Sequence, residues 1–200
     1  MDFIQADSLT YLEQFENISN IVTGIPDMTE INLNEKDYIS FLENICSLIF
    51  SKTKGYVIFI QTDRKKNGII DKSYLLTNFA YKHNFKMMWH KIALLRDVGK
   101  IDIYRPTYCH ILCYSKNLKP GKATPDVIDG GKKSYKNATP SKACQLAIDF
   151  VKSMKTRKYG SYDVIDPFSG SGTIPKYCYQ VGLTSLGVDL KQPQAFLHSR

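Results

Sequence analysis

Apolar runs of strand length alternate along the chain with amphipathic segments of helix length, a pattern typical of a mostly parallel α/β sheet. The first predicted strand is 21–23, closed by Gly24-Ile25-Pro26, and a helix is predicted over 35–51. Gly55 ends that helix, and the apolar run 56–60 predicts a strand buried on both faces.

The alternation continues to the C-terminal part without a linker, so the chain is expected to form a single domain over 1–200. Strands 86–95 and 107–115 are expected to form an antiparallel pair at an edge. Residues 116–137 are rich in Gly, Pro and Lys and predict a long loop of the functional or mobile kind. The remaining predicted elements are helices 73–83, 141–154 and 174–181 and strands 162–165 and 185–188.

Composition limits the class of protein. Five cysteines without a Cys-x-x-Cys pair argue against a disulfide framework and favour a reducing compartment. No secretory signal and no apolar run near the roughly 20 residues of a membrane span is visible. We therefore expect an intracellular protein, cytoplasmic or nuclear, that needs no membrane. The histidines lack metal-ligand spacing, so no metal is expected.

The net charge of +8 favours a polyanionic partner, because a basic protein releases condensed counterions when it binds nucleic acid. Lysines and arginines recur along the predicted ordered segments instead of forming one tail, which is typical of a binding face. Many basic proteins nevertheless never contact nucleic acid, and that alternative stays open.

A glycine loop follows the predicted strand that ends at Asp166. Glycines at 170 and 172 allow close backbone approach to a ligand, and a helix N-terminus follows with unpaired N–H groups. Asp189 ends the next strand and is an acid at the spacing that accepts hydrogen bonds from ribose hydroxyls. A dinucleotide site is the weaker alternative, because the third glycine of that motif is missing.

The octet from Asp166 to Thr173, Asp-Pro-Phe-Ser-Gly-Ser-Gly-Thr, resembles the cofactor motif of DNA and RNA methyltransferases that methylate amino groups. The order of motifs is similar to the circularly permuted beta class. The resemblance extends to the opening 3–9, to 105–112 and to 137–142. It implies a Rossmann-like α/β fold, a mostly parallel seven-stranded sheet with helices on both faces, and S-adenosylmethionine as cofactor. The implied cofactor-binding residues are Asp7, Thr139, Asp166, Pro167, Phe168, Gly170, Ser171, Gly172, Thr173 and Asp189.

The catalytic motif of that family, Asp/Asn/Ser-Pro-Pro-Tyr/Phe, is altered in this chain. Gly24 stands where the polar side chain belongs and Asp27 where the aromatic belongs. The chain resembles a branch of methyltransferases that carries Pro-Asp at this place and has no assigned acceptor. Transfer to an exocyclic amine therefore does not carry over residue by residue.

Three interpretations of Pro26-Asp27 follow. Asp27 could orient or deprotonate a different acceptor, it could be a structural turn residue, or the protein could have lost chemistry and kept binding. Gln61 and Asp63 follow the apolar strand 56–60 and could face the same crevice, since ligands bind at the carboxyl ends of such strands. A plain Gln-Thr-Asp turn is the alternative. The candidate catalytic residues are thus Pro26, Asp27, Gln61 and Asp63.

Cationic and aromatic residues of the later strands are candidate substrate contacts. His90 and His110 could move a proton while Lys91 and Arg105 contact phosphate, although strand histidines are more often core or surface residues. Tyr108 could stack on an unpaired base, and edge packing explains it equally well. Lys72 is the remaining candidate substrate contact.

The expected function is S-adenosylmethionine-dependent methyl transfer to nucleic acid, RNA or DNA, with the acceptor atom open. Two rivals remain: a methyltransferase of proteins or small molecules, and a catalytically silent cofactor-binding subunit. A homodimer or a partner subunit is left open.

Overall fold

The computed structural model describes residues 1–65, 70–131 and 138–191. Within these residues, eight strands form one sheet: β1 (Asp2–Gln5), β2 (Ile21–Thr23), β3 (Val57–Gln61), β4 (Lys86–Leu94), β5 (Tyr108–Ser115), β6 (Val127–Asp129), β7 (Val164–Asp166) and β8 (Ser185–Asp189). Their order across the sheet is β1-β8-β7-β2-β3-β5-β4-β6. β5 runs against its neighbours, β3 and β4, and the other neighbouring pairs are parallel.

Helices cover both faces of the sheet. One core cluster contains side chains of α1, α2 and α3, and the other contains side chains of α4 and α5. All five residues of β3 are buried, because this central strand is covered on both faces. The helices are α1 (Ser8–Glu13), α2 (Glu35–Lys52), α3 (Lys72–Lys82), α4 (Ser141–Met154) and α5 (Thr173–Gln180).

Two helix starts depend on side-chain caps that the sequence supplies. The side chain of Asn34 accepts a hydrogen bond from the backbone N–H of Asp37 at 3.0 Å, and Asp71 accepts one from Tyr74 at 2.8 Å. These bonds satisfy N–H groups that a helix leaves unpaired in its first turn. They fix where α2 and α3 begin, and therefore where the residues just before those helices lie.

The predicted α/β fold is confirmed, with three differences in detail. The sheet has eight strands instead of seven, because β6 lies inside the predicted loop 116–137. The pair β4 and β5 is antiparallel as predicted but is not an edge, since β6 pairs with β4. β1, α1 and β6 were not predicted. Both strands are short and partly exposed, so they lack the buried apolar run that marks the equally short β2, and α1 has only six residues.

The strand order creates a crevice between β7 and β2. The chain leaves β7 through α5 toward β8, and it leaves β2 through α2 toward β3 on the other side. Ligands of open α/β sheets bind where the order reverses in this way, outside the carboxyl ends of the strands. Within the described part of the chain, no helix combines the length and apolar character needed to cross a membrane.

Candidate active site

A cleft of about 1050 Å³ opens at this crevice. One end is formed by the loop after β7 and by Asp189, and the other by the turn after β2 together with the ends of β3 and α3. Its volume is at the upper limit of ordinary small-molecule sites. The cleft therefore has room for a nucleotide-sized ligand and a second group beside it.

The glycine loop turns sharply between β7 and α5. Gly170 and Gly172 have φ angles of 49° and 75°, in the left-handed region that residues with a Cβ rarely adopt. Gly172 is the cap residue of α5 and has no side chain to bond the first N–H groups of that helix. The loop thus directs backbone donors of the α5 N-terminus toward the cleft.

Asp189 ends β8 and holds the glycine loop. One carboxylate oxygen accepts a hydrogen bond from the Gly170 N–H at 2.8 Å, and the other accepts one from the Lys191 N–H at 3.1 Å. A carboxylate offers about four lone-pair positions, so two further donors can still be accepted. Asp189 lines the cleft, where a pair of ligand hydroxyls could supply those donors.

Asp166 is a buried carboxyl at the end of β7. Its Oδ1 accepts hydrogen bonds from the Thr23 hydroxyl at 2.7 Å and from the Phe168 N–H at 3.3 Å. Burial raises the pKa of Asp166 to about 7, although the two hydrogen bonds act in the opposite direction. Asp166 therefore ties the two central strands together and titrates near neutral pH.

This raised pKa predicts a pH-dependent stability. Between about pH 4 and pH 7 the folded protein holds a proton on Asp166 that the unfolded chain has lost, so the unfolding free energy falls as pH rises. Relative to Asp166→Asn, the wild type should lose on the order of 4 kcal/mol across this window. Urea unfolding of both proteins at pH 4.5 and pH 8 measures the difference, and parallel pH profiles would contradict it.

Ser169 is the one buried side chain in the described residues whose polar atom has no hydrogen-bond partner. It is 6% exposed and lines the cleft next to the glycine loop. A buried hydroxyl without a partner is costly, and a ligand can supply the missing bond. The neighbouring Ser8 hydroxyl, in contrast, donates to the Pro167 carbonyl.

The turn after β2 begins with Gly24, which has little space for a side chain. A Cβ at this position would lie 3.0 Å from the Ile60 carbonyl oxygen and 3.4 Å from Thr139 Oγ1. Thr139 therefore faces the turn from the segment before α4. The close contact with the β3 backbone makes glycine the residue that fits here.

Gln61 uses its amide to hold this turn. Its Oε1 accepts the Ile25 N–H and its Nε2 donates to the Ile25 carbonyl, both at 3.0 Å. Gln61 is buried, and its two hydrogen bonds to Ile25 join β3 to the turn. These bonds position the turn and leave the Ile25 carbonyl already bonded, while the catalytic role of Gln61 stays a prediction.

Asp27 lies at the centre of a charged cluster. Its Oδ1 accepts from Arg64 at 2.7 Å and from the backbone and hydroxyl of Thr29, and its Oδ2 accepts from Lys72 at 3.3 Å. Burial raises the pKa of Asp27, but Lys72, Thr29 and Arg64 together outweigh it, so the net shift is downward. Asp27 is a firmly ionised carboxylate and a poor proton acceptor.

Lys72 begins α3 and lines the cleft with only 2% of its surface exposed. Its ammonium has three donors, of which one bonds Asp27, and it lies 5.7 Å from the centre of the Tyr38 ring. Burial lowers the pKa of Lys72, and the attraction of Asp27 partly offsets that effect. The ammonium thus offers hydrogen-bond donors to a group in the cleft.

Glu30 also lines the cleft and was not among the predicted site residues. Burial raises its pKa, and the charges of Asp27 and Asp189 add to the effect. No sequence signal marks this position, because it lies in a turn and reaches the cleft only through the folding of the segment after β2. Ser8 and Ser169 also line the cleft and were not named as site residues, although both lie in segments that carry the family resemblance.

Three predicted polar residues form a chain beside the cleft. His110 Nε2 lies 3.0 Å from Asp63 Oδ2, and His110 Nδ1 lies 2.8 Å from His90 Nε2. Asp63 also accepts the Ser73 N–H at the start of α3. Neither Asp63 nor the two histidines belong to the cleft wall, so the expectation that Asp63 and Asp27 line one crevice is corrected.

The other predicted substrate residues lie on β4, on β5 and in the loop between them. Lys91 is buried, and its ammonium donates to the carbonyls of Thr124 and Pro125 and to Asp126, so it holds the segment before β6 and is not a free phosphate contact. Arg105 and Tyr108 are exposed. Tyr108 packs edge-on against His110, with 5.2 Å between ring centres.

The structure gathers most of the predicted cofactor residues around one cleft. Pro167 and Gly172 belong to the same loop without lining the cleft, and Asn137, at the start of the 137–142 stretch, is outside the described residues. In the described ranges, no cluster of His, Cys, Asp or Glu could hold a metal ion. The predicted residues that line the cleft are Asp7, Pro26, Asp27, Gln61, Lys72, Thr139, Asp166, Phe168, Gly170, Ser171, Thr173 and Asp189.

Comparisons with known proteins agree at the level of fold. No protein-family model and no curated protein matches the sequence. TTHA0409 of Thermus thermophilus, assigned as a DNA modification methylase, superposes in its complex with S-adenosyl-L-methionine at a TM-score of 0.71 and 19% identity, over 98% of this chain and 92% of that one.

Two further structures are similar. The cytosine-N4-specific PvuII DNA methyltransferase gives a TM-score of 0.66 at 16% identity, over 94% of this chain and 81% of that one. M1.HpyAVI in complex with SAM gives a TM-score of 0.61 at 14% identity, over 96% of this chain and 94% of that one. The chain therefore has the Rossmann-like methyltransferase fold.

Proposed function

We propose that this protein transfers a methyl group from S-adenosylmethionine to a nucleic acid, with DNA as the first choice. The observation that carries the proposal is the cleft at the strand-order reversal, where the glycine loop and Asp189 converge. DNA is favoured because the similar structures are those of DNA methyltransferases and the chain carries a charge of +8. RNA is the alternative substrate.

The residues of the cleft fit the cofactor. Asp189 has lone pairs left for two ribose hydroxyls, and the backbone of the glycine loop allows close approach. Ser169, Asp7 and Thr139 also line the cleft. When bound, the cofactor would supply an electrophilic methyl group on a sulfonium.

The other end of the cleft would receive the acceptor. Lys72 would donate hydrogen bonds to an atom beside the attacking atom of the acceptor group, which leaves the attacking lone pair free for the methyl group. Asp27 would keep that ammonium charged and fixed. Gln61 would hold the turn in place through Ile25. The contribution of the protein is alignment of donor and acceptor, which can account for a large part of a methyl-transfer rate.

The test combines cofactor binding with methyl transfer. Isothermal titration should detect S-adenosylmethionine binding, and tritiated methyl should then appear on DNA in a mixture of DNA, total RNA and protein. Absence of binding at millimolar cofactor would overturn the proposal. Label on protein or small molecules alone, with no salt-dependent nucleic-acid binding, would assign the rival substrate class.

A catalytically silent cofactor-binding subunit is the second candidate. Gly24 provides no polar side chain, the Ile25 carbonyl is already bonded to Gln61, and Asp27 already accepts four hydrogen bonds. Cofactor binding without label on any of the three substrate classes would favour this candidate. Label on DNA would exclude it.

A further inference from the structure

The loop that joins β4 to β5, residues 95–107 and called the hairpin loop below, exposes four large apolar side chains. The exposed fractions are 87% for Val98, 90% for Ile101, and 73% each for Ile103 and Tyr104. Monomeric soluble proteins seldom present large apolar side chains together, and such patches mark interaction sites. The hairpin loop is therefore a candidate contact surface.

The hairpin loop has a defined backbone. Its ends are closed by the N–H groups of Leu95 and Arg96, which donate to the Thr107 carbonyl at 2.7 and 3.2 Å. The carboxylate of Asp102 accepts the N–H groups of Tyr104 and Arg105, both at 3.0 Å, and Lys65 donates to the Asp102 carbonyl at 3.3 Å. These bonds hold the segment that carries the exposed side chains.

The hairpin loop lies at the same end of the sheet as the cleft, the end at which the parallel strands have their carboxyl termini. β5 begins at Tyr108, directly after the loop, and its His110 is paired with Gln61 at the carboxyl end of β3. β5 is two positions from β2 in the sheet, which corresponds to about 10 Å. A ligand that reaches the cleft from this end would meet the loop about 10 Å away.

Charge favours nucleic acid as the occupant of this surface. The hairpin loop contains three cations, Arg96, Lys100 and Arg105, and two acids, Asp97 and Asp102, and Lys65 contacts it as a fourth cation. The carboxylate of Asp102 accepts the loop's own N–H groups. Such a surface suits a nucleic acid, because apolar side chains can contact the stacked bases while nearby cations contact the phosphate backbones.

We propose that the hairpin loop is an apolar wedge that enters the base stack of duplex DNA beside the cleft. An acceptor base inside a duplex must leave the stack before it can reach a cleft of this kind. Apolar side chains that insert between base steps unstack them, and nearby cations hold the flanking phosphates. The inference rests on the proposed function and assigns Ile101 and Ile103 to opening the duplex.

The test uses the full chain with Ile101→Ser and Ile103→Ser combined, saturating S-adenosylhomocysteine, and a duplex that carries the fluorescent base 2-aminopurine. Wild type should raise the fluorescence, because the probe becomes unstacked. The double variant should bind the duplex at least about tenfold more weakly and abolish the rise, while its affinity for the corresponding single strand changes less than about threefold.

Tyr179→Ser is the matched control, since Tyr179 is 69% exposed on the last turn of α5. It should leave both DNA measurements unchanged. An unchanged duplex response in the loop variant overturns the inference, as does a wild type that binds no DNA. Loss of self-association instead of DNA binding would assign the loop to a second copy of the chain and also overturn it. Failure of cofactor binding with an intact DNA response would overturn only the proposed function.

Discussion

Replacing Asp189 with alanine should lower the affinity for S-adenosylmethionine by at least about a hundredfold. The substitution removes an ionised acceptor from the cleft and also releases the Gly170 N–H that the carboxylate holds at 2.8 Å. Hydrogen bonds to charged groups contribute about 1.5–3 kcal/mol each, so loss of two predicted ribose contacts accounts for the expected change. Isothermal titration with the cofactor and with its demethylated form measures it.

The matched control is Asp149→Ala, which removes an exposed acid on α4. It should bind the cofactor as tightly as wild type, which separates loss of the site from a general effect of charge. An Asp189→Ala variant with wild-type affinity would contradict the assignment of this acid to the cofactor. Thermal unfolding without ligand should establish that both variants are folded.

Asp27→Ala should abolish methyl transfer and lower the unfolding free energy by about 2 kcal/mol. Lys72 is 2% exposed, and removal of its partner leaves a buried ammonium without the carboxylate that stabilises its charge. The cost is at the low end for broken ion pairs because 27% of the Asp27 side chain is exposed. Urea unfolding measures the stability effect. Transfer of tritiated methyl to DNA, at a temperature below the unfolding transition of the variant, measures the activity.

The double variant Asp27→Ala/Lys72→Met separates stability from function. Removing both charges leaves no buried ammonium without a partner, and Arg64, which also loses the Asp27 carboxylate, has a side chain that is 16% exposed. The double variant should therefore recover part of the lost stability. It should remain inactive, because the donor that we assign to the acceptor is missing. Recovery of transfer along with stability would show that Asp27 and Lys72 are structural only. Full activity of the Asp27→Ala single variant would reduce Asp27 to a turn residue.

The two ends of the cleft differed in how well the sequence predicted them. The glycine loop was predictable because strand, turn and helix are contiguous, so the left-handed φ of Gly172 is a local property. The acceptor end combines β2, β3 and α3, and the contacts of Gln61 with Ile25 and of Lys72 with Asp27 join residues 36 and 45 positions apart. No local pattern specifies such contacts.

By itself, the sequence determined the α/β class, most helix and strand positions, and the loop from Asp166 to Thr173, because periodicity and turn chemistry act over a few neighbouring residues. Tertiary structure decided what the remaining polar residues do. It turned Lys91 toward the carbonyls of Thr124 and Pro125, separated Asp63 from the cleft, and brought Glu30 into it. Burial and charge at these positions depend on which strands lie side by side, and only the folded sheet defines that.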